Sequence, residues 1–109
     1  MVTAEAVVQP ATARQAAVKD SFTVWQEFFR RWPAELPQRG VLVTTTNEQI
    51  PFAGFLASET MVLLDRPAPD TVGARKVLLS YHAVAAVKLT DVLKEKPFTQ
   101  AGFAGKLPK

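Results

Sequence analysis

Few side chains in this sequence could do chemistry, and His82 is the most informative of them. It is the single histidine of the chain, and Tyr81 precedes it directly. A neutral imidazole can hydrogen-bond to the edge of a nucleobase, and a neighbouring phenol ring can stack on a base. A turn histidine can equally donate only to a nearby carbonyl group, and the residues alone leave both roles open.

Basic side chains that could neutralise the phosphates of a nucleic acid are spread along the chain. The 109 residues include 13 Lys and Arg against 10 Asp and Glu, which gives a formal net charge of +3. Arg30 and Arg31 precede Trp32 at the end of an aromatic stretch, and Arg39 precedes a β-branched run. The lysines beyond residue 90 make the C-terminal tail basic, either for contact with phosphates or for solubility alone.

The composition excludes several kinds of chemistry. The chain has no cysteine and one histidine, which rules out disulfides, thiolate zinc sites and multi-histidine metal sites within one chain. No glycine spacing matches a phosphate-binding loop, and neither Ser58 nor Ser80 lies in a nucleophile elbow. We therefore expect no enzyme, no metal and no cofactor.

The hydrophobic pattern is that of a water-soluble domain. No apolar run approaches the roughly 20 residues of a membrane helix, and polar residues interrupt the N-terminus, so neither a membrane span nor a secretory signal is expected. The lack of cysteine then favours the cytoplasm. The sequence predicts a flexible N-terminal arm over residues 1–18, a folded domain over 19–90 and a flexible basic tail over 91–109.

One helix and five short strands are predicted to position these side chains. Aromatic residues at steps of three and four predict a helix over residues 20–32, and this spacing is typical of packing on a sheet rather than stacking on bases. Gly54, in the middle of the second predicted strand, indicates a strong bend. The strands are predicted over about residues 40–46, 50–56, 60–64, 75–80 and 84–89.

This order of elements predicts a mainly β fold, with an N-terminal helix before a small, strongly bent five-stranded antiparallel barrel. An Sm-like or SH3-like barrel and an OB-fold both suit the strand count. An OB-fold usually has a helix between its third and fourth strands, where this chain has a Pro-rich loop over residues 65–74. The Sm-like barrel is therefore preferred, with the OB-fold as the alternative.

Several short motifs within residues 20–90 together resemble the Sm-like family, and within it the bacterial Hfq-like RNA-binding proteins. They are the leading helix, Gly54, the run over residues 59–64, and the pair His82 and Ala83, which falls on the His-Ala of the family's signature. The resemblance implies a hexameric or heptameric ring of identical copies that contacts single-stranded RNA.

The resemblance also implies which residues would contact RNA. The family's glutamine, aromatic residue and lysine of the uracil pocket fall here at Glu59, Thr60 and Tyr81. An acidic residue would repel phosphate, and threonine has no ring for stacking, so a ring-forming protein-interaction module without RNA binding is the second hypothesis. The full predicted RNA-binding set is His82, Tyr81, Glu59, Thr60, Arg30, Arg31 and Arg39.

The last two predicted strands give an independent reason to expect assembly. Their centres, residues 77–79 and 84–87, carry no charge. Exposed edges of this kind would template aggregation, whereas closed head-to-tail pairing satisfies their backbone groups in a ring. A monomer whose helix or tail covers both edges is the alternative.

Overall fold

The structure, a computed structural model, describes residues 20–108, so the arm predicted over residues 1–18 lies outside the described residues. Most of the regular structure is β-strand, as predicted. In chain order the elements are helix α1 (Ser21–Arg30), strands β1 (Gly40–Thr44), β2 (Gln49–Phe52), β3 (Phe55–Ala57), β4 (Met61–Asp65) and β5 (Lys76–Ser80), a 3-10 turn (Tyr81–Ala83), strand β6 (Val84–Lys88) and helix α2 (Lys96–Gln100).

Helix α1 begins with a side-chain cap and presents an aromatic face to the sheets. The Asp20 carboxylate accepts a 2.8 Å hydrogen bond from the Thr23 backbone N–H, which satisfies one of the free donors of the first turn. Phe29 is buried in the core, and Trp32 packs against it just beyond the helix. The helix ends at Arg30, two residues before the predicted boundary.

The strands form two three-stranded antiparallel sheets rather than one five-stranded barrel. One sheet has the strand order β2-β1-β6 and the other has the order β3-β4-β5. In the described residues the two sheets do not close on each other, because no ladder joins β5 to β6. The prediction of a mainly β fold is confirmed, and the predicted five strands are six.

The additional strand arises because the predicted strand over residues 50–56 divides at a bend. Gly54 has a φ of 145°, a conformation that residues with a side chain rarely adopt. The bend stays bonded to β4, since the Ala53 N–H donates to the Asp65 carbonyl at 2.8 Å and the Asp65 N–H donates to Gly54 at 2.9 Å. β2 and β3 are therefore consecutive parts of one sharply bent segment.

The hydrophobic core lies between α1 and the inner faces of both sheets. The side chains that face it alternate along the strands, as in β1, where every second residue is buried. Tyr81 and Phe29 are the largest fully buried residues. The remaining core cluster consists of Leu42, Ile50, Phe52, Val62, Leu64 and Val84.

The C-terminal part of the chain contains an element that the sequence analysis did not assign. Helix α2 lies within the tail predicted to be flexible, and its Pro97 is buried. An ion pair between Arg39 and Asp91 connects the start of this segment to the residue before β1. Neither helix among residues 20–108 has the length and apolar character needed to cross a bilayer.

Candidate functional site

Three segments that are distant in sequence meet at one surface of the protein. They are the first turns of the helix, the turn between β3 and β4, and the 3-10 turn between β5 and β6. The Phe22 and His82 rings lie 4.7 Å apart, and the Gln26 side-chain amide donates to the Glu59 carbonyl. We call this region the His82 surface and define it by Phe22, Gln26, Glu59, Thr60 and His82.

His82 is the exposed residue of the 3-10 turn. Its backbone N–H donates to the Ser80 hydroxyl at 3.2 Å, which caps the turn and leaves the imidazole on the outside. Among residues 20–108 no side chain hydrogen-bonds to the imidazole, and its ring lies in tilted contact with the Phe22 ring. The Thr23 hydrogen bonds, and to a smaller extent the charge of His82, lower the pKa of the nearby Asp20 carboxyl.

Tyr81 corrects the sequence analysis, which had predicted its ring as a stacking surface for a base. The ring is fully buried at 0% exposure, and it packs edge-on against Phe22 with 5.5 Å between ring centroids. Its hydroxyl donates to the Ser58 carbonyl at 2.7 Å, and burial raises its pKa. Tyr81 therefore anchors the 3-10 turn to the β3–β4 turn and cannot reach RNA.

Glu59 and Thr60 lie at the exposed tip of the β3–β4 turn, although Thr60 was predicted to begin a strand. The Ser58 hydroxyl accepts hydrogen bonds from the N–H groups of Thr60 at 3.2 Å and Met61 at 3.0 Å. These bonds hold the turn in one shape beneath Gln26. The exposed Glu59 carboxylate adds negative charge to the His82 surface.

The three predicted arginines are not part of this surface. Arg30 and Arg31 are exposed at the other end of α1, roughly 12 Å along the helix axis from Phe22. Arg39 donates from Nε and Nη2 to the two Asp91 carboxylate oxygens at 3.0 and 2.9 Å. These hydrogen bonds, together with the charge, raise the pKa of Arg39 and lower that of Asp91.

Two contributors to the His82 surface were not identified as site residues from the sequence. Phe22 was assigned to the aromatic core face of the helix, and Gln26 was not assigned a role. The two residues are four positions apart, a spacing that brings side chains together on one helix face. That spacing was the available signal, but the turn that Gln26 contacts lies 33 residues away in the chain.

A second surface feature is a row of leucines on the outer face of the β3-β4-β5 sheet. Leu56 is directly opposite Leu63, which is directly opposite Leu78 on β5. Leu56 and Leu78 are 69% and 61% exposed. An exposed apolar row of this kind is typical of a protein-contact surface rather than of a site for charged ligands.

In the part of the chain that the structure describes, β5 and β6 are also among the four strands that have a ladder partner on one side only. β5 pairs only with β4, and β6 pairs only with β1. No backbone hydrogen bond from the C-terminal segment or from α1 reaches either edge. The alternative of a monomer whose helix or tail covers both edges stays a prediction, because α1 and the C-terminal segment lie beside Val87 and Leu89 at the end of β6.

No protein-family model, curated protein or solved structure matches this chain. Residues 20–108 also contain no group of three or more His, Asp or Glu side chains placed to hold a metal ion. The features of the described residues that bear on function are the His82 surface, the leucine row and the free edges of β5 and β6.

Proposed function

We propose that the chain is an Sm-like protein that assembles into a closed ring of identical copies, and that this ring binds single-stranded RNA. In the ring, β5 of one copy pairs with β6 of the next. The two unpaired edges are the observation that carries this proposal.

The strand order favours this mode of assembly over other pairings. β2 and β3 belong to one bent segment, so the two sheets follow each other in the order β6-β1-β2/β3-β4-β5, with β6 and β5 at the ends. Both end strands are five residues long. Each offers an edge that the other can complete, and head-to-tail pairing of such edges closes into a ring when the rotation per copy is suitable.

Ring formation would give the His82 surface its function. The 3-10 turn that carries His82 directly joins β5 to β6, which are the two strands proposed to pair between copies. Each interface in the ring would therefore have a His82 turn close to it. An exposed imidazole backed by the Phe22 ring offers a hydrogen-bonding edge to a base. Recurrence of this weak site in every copy would supply affinity through several simultaneous contacts.

RNA binding would also need cations for the phosphates. Arg30 and Arg31 are exposed at the end of α1 and can serve this role, whereas Arg39 is already paired with Asp91. The affinity should therefore depend on salt, with a slope that reports few phosphate contacts per copy.

The second candidate is a ring that docks proteins instead of RNA. The exposed Leu56 and Leu78 favour it, as do the buried Tyr81 ring and the acidic Glu59. Both candidates share the same assembly, so RNA binding by an intact ring distinguishes them.

The test of RNA binding uses fluorescence anisotropy with uridine-rich and adenine-rich oligonucleotides over a range of salt concentrations. We expect binding that weakens as salt rises, and a loss of about threefold or more for His82→Ala, which removes one hydrogen bond per copy. Gln38→Ala, an exposed change in the linker before β1, is the matched control and should bind as the wild type does. A ring that binds neither RNA at low salt would contradict RNA binding and support the protein-docking candidate.

The test of assembly compares one substitution at two positions of the leucine row. Leu78→Glu places a charge on the end strand β5, and Leu56→Glu places the same charge on β3, away from the proposed contact. We expect Leu78→Glu to reduce the size of the assembly on gel filtration and Leu56→Glu to leave it unchanged. Equal effects of both changes would contradict pairing through β5.

A further inference from the structure

The C-terminal segment lies across the outer side of α1. We call residues 91–107 the strap. It begins at Asp91, which is paired with Arg39, and continues through α2, where Pro97 is buried. Phe98 and Phe103 form an edge-on pair with ring centroids 6.1 Å apart.

This aromatic pair covers an apolar groove between the helix and the end of β6. A cleft of about 240 Å³ remains between the groove and the two phenylalanines, so the strap covers the groove without filling it. We call the surface beneath the strap the α1–β6 groove, and it consists of Val24, Trp25, Phe28, Val87 and Leu89. Every member is apolar, so the groove selects an apolar or aromatic occupant.

The strap is held by few contacts. A second cleft, of about 480 Å³, separates Phe103 and the end of α2 from α1, and Phe103 is 59% exposed. The backbone hydrogen bonds of the strap among the described residues run within it, from Glu95 to Phe103. A segment with an exposed ion pair and loosely packed rings can open locally while the domain stays folded.

We propose that the α1–β6 groove is a docking site for a short segment with two phenylalanines five positions apart. The strap covers it within the same chain, and the strap of a second copy can take its place when the first is displaced. The strap is the proposed occupant because the structure places its two phenylalanine rings against the apolar residues of the groove. This docking goes beyond the proposed function, because it requires neither a ring nor RNA.

The experiment uses the full-length protein and a fluorescent peptide with the sequence of residues 91–107. We expect the peptide to bind saturably to the Phe98→Ala, Phe103→Ala double variant, whose own strap no longer covers the groove. In the wild type the tethered strap competes at an effective concentration on the order of 1 mM, so the peptide should bind at least about tenfold more weakly.

Two controls separate docking from general loss of structure. Val92→Ala changes a fully exposed strap residue, so this protein should bind the peptide as weakly as the wild type does. A peptide in which both phenylalanines are alanine should bind none of the proteins. Circular dichroism shows whether the double variant is folded. Equal binding to the wild type and the folded double variant, or no binding to either, would overturn the proposal.

A milder variant keeps the test decisive if the double variant does not fold. Asp91→Asn removes the ion pair with Arg39 and leaves every residue of the groove in place. An exposed ion pair contributes little, so we expect the peptide to bind about two- to fivefold more tightly than to the wild type. An affinity equal to that of the wild type would then overturn the docking site.

Discussion

The hydrogen bond from Tyr81 to Ser58 connects the two turns of the His82 surface, and its removal tests the role that we assign to Tyr81. Tyr81→Phe deletes the hydroxyl group and keeps the ring in its edge-on contact with Phe22. A bond of 2.7 Å between a buried phenol and a backbone carbonyl contributes about 1 kcal/mol to the free energy of unfolding. For a domain of this size, that loss lowers the melting temperature by roughly 4–8 °C.

The assay is thermal unfolding followed by circular dichroism, with both proteins at one concentration because assembly makes the melting temperature depend on concentration. Thr60→Val removes a hydroxyl group at the exposed tip of the β3–β4 turn and should leave the melting temperature nearly unchanged. Tyr81→Ala, which also removes the buried ring, should cost about 3–5 kcal/mol. A melting temperature for Tyr81→Phe equal to that of the wild type would refute the anchoring role.

Three further changes test other contacts in the structure. Gly40→Ala would place a methyl group 2.2 Å from the Lys88 carbonyl oxygen. The free energy of unfolding measured in urea should therefore fall by about 2 kcal/mol or more, and a fall of less than about 0.5 kcal/mol would contradict the close approach of β1 and β6. Gln26→Glu replaces the amide that donates to the Glu59 carbonyl by a carboxylate that only accepts hydrogen bonds. The same assay should show that the free energy of unfolding falls by about 1 kcal/mol, and an unchanged urea midpoint would exclude that hydrogen bond. The Arg39 hydrogen bonds lower the pKa of the Asp91 carboxyl, so they stabilise the fold above the ordinary carboxyl pKa and are lost as the pH falls through the pKa of the folded state. The Asp91→Asn variant should therefore lose less stability than the wild type between pH 5 and pH 2. Equal losses in the two proteins would contradict a stabilising role for this ion pair.

The elements that could be predicted from the sequence are those with a strong local pattern. The aromatic spacing from Phe22 onwards predicted α1, and the apolar and β-branched runs located β1, β4, β5 and β6 to within two residues. Gly54 indicated the bend but not that the bend divides one predicted strand into two. Whether it does so depends on the hydrogen bonds that the neighbouring strand forms on either side of the bend. Here Asp65 bonds to both sides of the bend.

The parts that could not be predicted depend on contacts between distant residues. Tyr81 lies next to exposed His82, and only the packing of Phe22 and Phe29 on its ring decides which of the two faces the core. Helix α2 has five residues, too few for a helical pattern to be visible in the sequence. The partner of Arg39 is 52 residues away, so no local pattern could exclude this arginine from the predicted RNA-binding set.

The most direct test of the central claim is the mass of the wild-type protein in solution, measured by light scattering at several concentrations. Pairing of β5 with β6 of the next copy predicts one closed species with six or seven times the 11.9 kDa mass of a single chain, constant over the concentration range. A mass of one chain at every concentration would contradict the claim, because both edges would then remain unpaired without consequence. A mass that grows steadily with concentration would contradict it equally, since open pairing does not close a ring.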